Sequence, residues 1–315
     1  MSPPAAWASP IFRGYFMAAV ILLAAGGLAI GGMKLLTKRD VGHAWASYCG
    51  WLVMIPVVLL TIFAGRIPSM VLFGLLGLGG FIEYARATGL IQERFMMFVV
   101  IGSMATVSVA ACMTDPRIHT PGWYGVFMAL PVYAICLILL VPIVRDRTDG
   151  YLAKMALAIV GFIYMGWMFG HLTFLCNSKH AYGYILYLLF AVEINDVAAF
   201  TSGKLLGGHK LRPNISPQKT WEGAIGALLV SLTLPWMVRY SFPHFGAVDL
   251  VAIGLIVGIG GQLGDLTISV IKRDLEIKDM GQLIRGHGGI LDRIDSMIYV
   301  APLFFHWVRY RYDIY

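Results

Sequence analysis

Charged side chains are scarce in this sequence. Asp, Glu, Lys and Arg together make up 13% of its 315 residues, whereas hydrophobic residues make up 58%. So little charge argues against an ordinary soluble domain and indicates an all-α, polytopic integral membrane protein with about ten transmembrane helices. The apolar runs long enough to cross a bilayer lie near residues 15–36, 45–64, 68–85, 95–113, 122–143, 152–175, 181–203, 223–240, 247–271 and 289–309.

Cysteine is also scarce. The four cysteines, Cys49, Cys112, Cys136 and Cys176, lie in or at the ends of apolar runs. Their spacing indicates neither a disulfide framework nor a metal site, so we interpret them as structural thiols. The lack of a His/Cys cluster favours a metal site with oxygen ligands, which points to Mg²⁺ and not Zn²⁺.

A cleavage site is lacking after the first apolar run. The run passes directly into Lys34, Lys38 and Arg39 without a small-residue motif. This pattern predicts a first transmembrane helix and not a removable signal peptide. Low-complexity tracts and internal repeats are lacking as well.

Lys and Arg residues are unevenly distributed between the two sides of the predicted membrane. Seventeen of the 24 lie in or beside the loops after the first, third, fifth, seventh and ninth spans. By the positive-inside rule, these loops face the cytosol and both termini face away from it. The net charge of +7 then reflects membrane topology and anionic lipid, with no nucleic acid as partner. The size of the chain favours a bacterial plasma (inner) membrane.

Acidic residues are concentrated late in the chain. Ten of the 17 lie between Glu193 and Asp295. We therefore predict an N-terminal transmembrane scaffold at residues 1–180 and a catalytic transmembrane region at 181–315. Cytoplasmic loops are expected at 204–222 and 272–288.

Carboxylates on the last two spans are expected to converge. Asp265 lies about 10 Å inside the cytoplasmic end of the ninth span, on one helical face with Ser269 and Lys272. Asp292 and Asp295 lie about 5–10 Å inside the same boundary on the tenth span. Because consecutive spans are antiparallel, the three carboxylates would meet, and Mg²⁺ would offset their repulsion.

A simpler alternative needs no metal. Asp292 and Asp295 would then form helix-end salt bridges with Arg293 and the nearby lysines. This alternative leaves Asp265 unexplained, because no basic residue lies within one helical turn of it.

The seventh span and its following loop add further polar residues. Glu193, Asp196 and Lys204 recur at helical spacing in the seventh span. The loop "HKLRPNISPQKTWEG", residues 209–223, is basic and rich in hydroxyl groups. Its candidate phosphate donors and ligands are Ser216, Lys219, Thr220 and Glu222.

The motif "GHGG", residues 286–289, opens the tenth span. Gly288 and Gly289 would let the backbone approach a ligand closely, and the helix N-terminus would offer free N–H groups to a phosphate. His287 would lie at the same end of the site.

One long segment resembles a known family. The run "SVIKRDLEIKDMGQLIRGHGGILDRIDS", residues 269–296, resembles the signature of the phosphatidate cytidylyltransferases, the CDP-diacylglycerol synthases. The segments "SPQKTWEG" (216–223) and "LGD" (263–265) resemble the same family. The resemblance covers residues 190–300 well and the N-terminal half only as a multi-span apolar region.

The resemblance implies a reaction, a cofactor and a site. CTP and phosphatidic acid, or a related lipid phosphate, would react to give CDP-diacylglycerol and pyrophosphate. Asp265 and Asp292 would bind a catalytic Mg²⁺, with Asp295 as a further ligand. The other residues assigned to catalysis or substrate binding are Lys272, Arg273, Asp196, Lys204, Ser216, Lys219, Thr220, Glu222, Ser269, Lys278, Asp279, His287, Gly288, Gly289 and Arg293. A second cation and a homo-oligomer are left open.

The seventh span departs from the family pattern. Where the family usually has Asp-Ser/Thr-Gly-Ala-Tyr, this chain has "NDVAAF", residues 195–200. Asp196 is kept, whereas Val197, Ala198 and Phe200 replace the hydroxyl residue, the glycine and the tyrosine. The departure leaves the identity of the lipid phosphate open.

Two other functions compete with this interpretation. A polyprenol kinase would also use CTP on a lipid. An ion-coupled transporter would place acids inside the membrane, but it would also need polar residues on the far side, and spans seven, nine and ten have few.

Overall fold

The computed structural model describes residues 1–37, 42–281 and 288–312. Helices dominate these ranges, because an apolar chain in lipid must pair its backbone N–H and C=O groups within each segment. The helices are α1 (Pro3–Ala8), α2 (Pro10–Thr37), α3 (Gly42–Ala64), α4 (Arg66–Ala87), α5 (Arg94–Cys112), α6 (Tyr124–Arg145), α7 (Tyr151–Gly161), α8 (Phe169–Leu175), α9 (Ala181–Leu206), α10 (Trp221–Met237), α11 (Ala247–Leu255), α12 (Gly261–Asp274) and α13 (Leu291–Arg311).

Two pairs of these helices run on as single spans. A π-helical turn, Phe162–Met168, joins α7 to α8, and a second, Ile256–Gly260, joins α11 to α12. Both interruptions contain glycine and keep the helical direction, so each pair crosses the membrane as one element.

The expected all-α, polytopic class is confirmed. In the described ranges, eight helical segments are long and apolar enough to cross a membrane. The remaining two predicted runs fold as α10, which has 17 residues, and as α13, whose first turns carry Asp292, Arg293 and Asp295. Helix α10 is therefore too short, and α13 too charged, to be identified as a span from length and composition alone. The count of ten spans stays a prediction.

Helix α13 lies at the centre of the packing. It packs against α12 and α9 on one side and against α4 and α8 on the other. Phe304, Phe305 and Val308 on α13 are fully buried. The core is therefore continuous across residue 180, where we divided the chain on its chemistry.

The loop after the seventh predicted span folds as a β-hairpin. Strand β1 (Lys210–Arg212) pairs antiparallel with β2 (Ser216–Thr220), with Lys210 opposite Thr220 and Arg212 opposite Ser216. Pro213 and Asn214, which favour turns, lie between the strands. The hairpin gives the basic loop a defined shape, and it is the exception to the all-α class in the described residues.

Candidate active site

The acidic residues come together between the first half of α12 and the first two turns of α13. The two helices approach closely at Gly264, where an added Cβ atom would lie 2.4 Å from the carbonyl oxygen of Asp295. Asp265 therefore lies near Asp295, and Asp196 joins them from α9, so that the three carboxylates repel one another. We call Asp196, Asp265 and Asp295 the acidic cluster.

Helix α9 is held against this end of the bundle by Asn195. This fully buried amide lies 3.2 Å from the position of a Cβ at Gly261 and accepts a hydrogen bond of 3.0 Å from Ser231 Oγ on α10. The neighbouring residue is Asp196. The apolar replacements after it, Val197 and Phe200, are exposed on the surface of the bundle.

Asp265 has a basic partner, so the expectation that it has none was wrong. Its Oδ2 lies 2.5 Å from Lys219 Nζ, and its Oδ1 accepts a hydrogen bond of 3.1 Å from Ser269 Oγ. Lys219 also donates to Gln262 Oε1 at 3.3 Å. Helical spacing could not identify this partner, because Lys219 lies on strand β2, 46 residues before Asp265 in the sequence.

Asp292 joins three parts of the site. Its Oδ1 accepts from Lys272 Nζ at 3.0 Å, and its Oδ2 accepts from the backbone N–H groups of Met280 and Gly289, each at 2.9 Å. The side chain of Asp292 is 5% exposed and that of Lys272 is 12% exposed. Asp292 thus forms a salt bridge of the kind that the simpler alternative expected, and its role as a metal ligand stays a prediction.

The start of α13 does not offer all its N–H groups to a phosphate, which corrects our interpretation of "GHGG". Ile290 N donates to Glu83 Oε1 at 3.0 Å, and Leu291 N donates to Glu83 Oε2 at 2.9 Å. Gly288 has a φ of 79° and packs on Asp292, a conformation that glycine adopts readily. His287 lies outside the described residues.

Sequence reasoning did not identify Glu83 as a functional residue. It is a lone acid in the apolar run "GLGGFIEYA", and it is 7% exposed. An isolated carboxylate inside a span is costly unless it is paired. That cost could have indicated from the sequence that Glu83 has a partner. In the structure, its carboxylate accepts hydrogen bonds from two backbone N–H groups.

The hairpin residues divide into structural and outward-facing groups. Thr220 caps α10, because its Oγ1 accepts from Gly223 N at 3.1 Å. Glu222 closes the base of the hairpin by accepting from His209 Nδ1 at 2.7 Å, which lowers the pKa of Glu222 to about 2. Ser216 is half-buried on β2.

The remaining predicted phosphate-binding residues lie at the end of α9, at and after the end of α12, and at the start of α13. Arg273 Nε donates to the carbonyl of Ile215 in the hairpin turn at 3.1 Å, and Lys204 Nζ lies 5.7 Å from the centre of the Phe200 ring. The residues exposed at this end are Lys204, Arg273, Lys278, Asp279 and Arg293. A polyphosphate would therefore meet mainly positive charge there.

Polar atoms without partners surround the acidic cluster. In the described part of the chain, Asn195 Nδ2, Gln262 Nε2 and Ser296 Oγ are buried and make no hydrogen bond. All three residues lie beside Gly261 or Gly264, where α12 meets its neighbours. Buried polar groups are normally paired, so these atoms indicate a place for water or a polar ligand.

A Mg²⁺ ion fits the chemistry of the acidic cluster. The cluster supplies carboxylate oxygens, which Mg²⁺ prefers, and unpaired polar atoms lie beside it. Both oxygens of Asp292 already accept hydrogen bonds. Those of Asp265 are likewise engaged, by Lys219 and Ser269, so either residue would have to exchange a partner to bind the ion directly. Across residues 1–37, 42–281 and 288–312, however, no three His, Cys, Asp or Glu side chains are arranged to hold a metal ion as they stand.

A cavity of about 240 Å³ lies elsewhere in the molecule, between α4, α5 and α8 with its preceding π-turn. Its walls are largely apolar and include Met70, Phe73, Met104 and Phe169. It is not bounded by α9, α12 and α13, the helices that carry the acidic cluster.

Comparison with known proteins supports an assignment to a family. A model of the cytidylyltransferase family matches residues 45–311. The phosphatidate cytidylyltransferase of Staphylococcus aureus is 32% identical over 258 residues, which cover 80% of this chain and 92% of that enzyme. The phosphatidate cytidylyltransferase of Staphylococcus saprophyticus is 41% identical over 157 residues, 49% of this chain and 57% of that enzyme.

A further relative matches over a shorter segment. The Escherichia coli protein YnbB, which is described as uncharacterized, is 41% identical over 126 residues. This segment covers 40% of this chain and 42% of YnbB, so the match spans less than half the length of that relative.

Proposed function

Because the chain belongs to the cytidylyltransferase family, we propose that it transfers the cytidylyl group of CTP to phosphatidic acid. A phosphate oxygen of the lipid would attack the α-phosphorus of CTP. The bond from that phosphorus to the oxygen of the β-phosphate would break, releasing pyrophosphate. The product would be CDP-diacylglycerol. The named phosphatidate cytidylyltransferases among the relatives support this choice of substrate.

The observation that carries the proposal is the contact between the hairpin and the acidic cluster. Lys219 of β2 lies on Asp265 of α12, and Lys272 lies on Asp292 of α13. Half-buried lysines thus meet carboxylates near the ends of membrane helices, beside exposed basic residues. A lipid phosphate and a nucleotide triphosphate would meet at such a boundary, with the acyl chains left in hydrocarbon.

The lysines are suited to stabilising negative charge. The side chains of Lys219 and Lys272 are 21% and 12% exposed, so their ammonium groups act where water screens them weakly. Both reacting groups are anions, and charge grows on the departing pyrophosphate. Positive groups fixed in place before the reaction lower its barrier.

Mg²⁺ is the cofactor that we propose for this site. Asp265 and Asp295 would hold it together with Asp196, and Asp292 would bind it on exchanging one of its present hydrogen bonds. When bound, the ion would neutralise triphosphate oxygens. Ser269 would orient Asp265 through the hydrogen bond to Oδ1.

Purified protein incubated with CTP labelled in the cytidine and with phosphatidic acid tests the reaction. We expect label to enter a lipid and pyrophosphate to appear in equal amount, with both signals lost on removal of Mg²⁺. CTP labelled in the γ-phosphate, offered with a polyprenol, tests for kinase activity. Transfer of that label to the polyprenol without a cytidine-labelled lipid would contradict the proposal.

We further propose that the site faces the cytosol, where CTP is available and where the basic loops are expected to lie. Gln218 is exposed on β2, so a Gln218→Cys substitution in a cysteine-free background reports its side. A membrane-impermeant thiol reagent should label it only after the cells are opened. Labelling in intact cells would reverse the topology.

A further inference from the structure

Glu83 links the N-terminal half of the chain to the start of the last helix. It lies near the end of α4 and is 7% exposed. Each of its carboxylate oxygens accepts one backbone N–H group of α13, from Ile290 and Leu291, at 3.0 and 2.9 Å. A negative group at the positive end of a helix dipole is stabilising, and here it is nearly excluded from water.

Two glycines make room for this carboxylate. A Cβ atom at Gly281 would lie 2.5 Å from Glu83 Oε1, and one at Gly289 would lie 2.3 Å from Glu83 Oε2. Two more, Gly79 and Gly80, let α4 itself approach Ile290 and Ile294 of α13. Backbone and carboxylate are therefore packed at van der Waals contact on several sides, and no larger residue would fit without displacement.

The same short segment holds Asp292. While Glu83 takes the N–H groups of Ile290 and Leu291, Asp292 takes that of Gly289 and pairs with Lys272. Consecutive N–H groups at the start of α13 are thus divided between a carboxylate of α4 and one of α13. Any shift of α13 along its axis would break both sets of contacts and move Asp295, one turn further on.

We propose that Glu83 is a positioning residue for the cytidylyl transfer. It fixes the first turn of α13, and through it the carboxylates of Asp292 and Asp295, relative to α12 and the hairpin. It touches no reacting group and acts only through α13. This inference rests on the proposed function, and it makes the N-terminal half part of the active site's geometry.

Glu83→Gln tests the proposal with little change of volume. One oxygen becomes an NH₂ group that faces a backbone N–H donor, so one of the two hydrogen bonds is lost and the helix end loses its counter-charge. We expect kcat per folded molecule to fall on the order of 10²-fold, because small misplacements of reacting groups are costly. KM for CTP should change less, since the lysines remain.

Glu93→Gln is the matched control. Glu93 is also a carboxylate of the N-terminal half, but it pairs with Lys154 away from α13. It should keep kcat and KM. Amide hydrogen exchange in lipid nanodiscs supplies a readout without activity: exchange at residues 289–292 should rise in Glu83→Gln and stay unchanged in Glu93→Gln.

Each outcome decides the question. A Glu83→Gln protein with the kcat and the exchange pattern of Glu93→Gln overturns the proposal. If Glu83→Gln fails to fold, Glu83→Asp, which keeps the charge on a shorter side chain, is measured in the same way. Failure of both to fold would make Glu83 a folding residue and overturn positioning. A wild-type protein without CDP-lipid synthesis overturns the proposed function instead, and the exchange data then decide alone whether Glu83 fixes α13.

Discussion

Helices α2 and α3 are as apolar as the span formed by α11 and α12, but they are packed differently. The mean hydropathies of the three spans are 2.1, 2.0 and 1.8. Yet 0% of the residues in the first span's most apolar window are buried inside the protein, against 6% in the second and 56% in the third. Apolarity therefore says only that a helix can enter lipid, whereas the site is built where helices bury one another.

Glycine has a different role in these two regions. In α2, a Cβ added at Gly31 would meet nothing within 4 Å, whereas in α12 one at Gly264 would meet the backbone of α13 at 2.4 Å. Small residues allow close helix packing in membranes. In α12 this close packing places Asp265 near Asp295, so Gly264 is needed to assemble the acidic cluster.

The largest expected effect lies in the tightly packed region and concerns the carboxylate of Asp265. Asp265→Asn keeps the size of the side chain and removes its charge in the acidic cluster, so turnover should fall by about 10³-fold, as it does when a preorganised charged group is lost. Labelled-CTP kinetics on purified protein measure it. Asp146→Asn, in the exposed loop after α6, is the control and should keep full activity. Near-normal, Mg²⁺-dependent turnover of Asp265→Asn would rule out this metal ligand.

A glycine-to-alanine pair sharpens the packing comparison. Gly264→Ala should destabilise the protein by about 1–3 kcal/mol, because a Cβ atom forces α12 and α13 apart. Gly31→Ala should leave stability unchanged or slightly raised, since alanine favours helix and the position is open. Thermal unfolding of both variants in one detergent measures the difference. Equal unfolding temperatures would mean that the close contact at Gly264 is absent.

A pair of lysine substitutions compares the inner face of the hairpin, which contacts Asp265, with its exposed face. Lys219→Met removes the ammonium group beside Asp265, and we expect KM for CTP to rise about tenfold, the equivalent of one charge-assisted hydrogen bond. Lys210→Met, on the exposed strand β1, should change KM little because water screens that charge. Initial-rate measurements over a range of CTP concentrations test both. The same KM for the two variants would show that the contact with Asp265 has no role in binding.

The smallest expected effect is electrostatic and involves two carboxylates outside both regions, Glu93 before α5 and Glu222 at the start of α10. Hydrogen bonding lowers the pKa of Glu93 through Lys154 and lowers the pKa of Glu222 to about 2 through His209. Each folded-state pKa lies below the usual value of 4.5. Each contact therefore contributes stability above about pH 4.5, and loses it as the pH falls toward the folded pKa.

NMR titration of the two labelled carboxyl groups in nanodiscs checks these shifts. His209→Ala should raise the pKa of Glu222 toward 4.5 and leave that of Glu93 unchanged, while Lys154→Ala should do the reverse. A pKa near 4.5 for Glu222 in the unsubstituted protein would mean that its hydrogen bond with His209 is absent in solution.

The parts of the fold that follow from local pattern could be predicted from the sequence. Apolar runs gave the membrane class and nearly all of the helices, and helical spacing placed Asp265, Ser269 and Lys272 on one face. The hairpin was missed because three- and five-residue strands leave little periodicity, and a basic, hydroxyl-rich loop looks the same whether or not it pairs.

Partners of the site residues were the least predictable part. We expected Asp265 to lack a basic partner, which was wrong, and α13 to offer free N–H groups, two of which Glu83 takes. Lys219 and Glu83, which correct them, lie far from their partners in the chain. Helical spacing relates residues within one helix, so it carries no information about contacts of this kind.

The sequence by itself determined that this chain is a bundle of membrane helices with acids and bases gathered near its C-terminal end. Hydropathy and charge are properties of each segment, so they can be read without a fold. Only the tertiary structure decided which carboxylates meet, which are already paired and which glycines let helices touch. Those choices depend on where α4, the hairpin and α12 lie around α13, and burial makes each unpaired charge there costly.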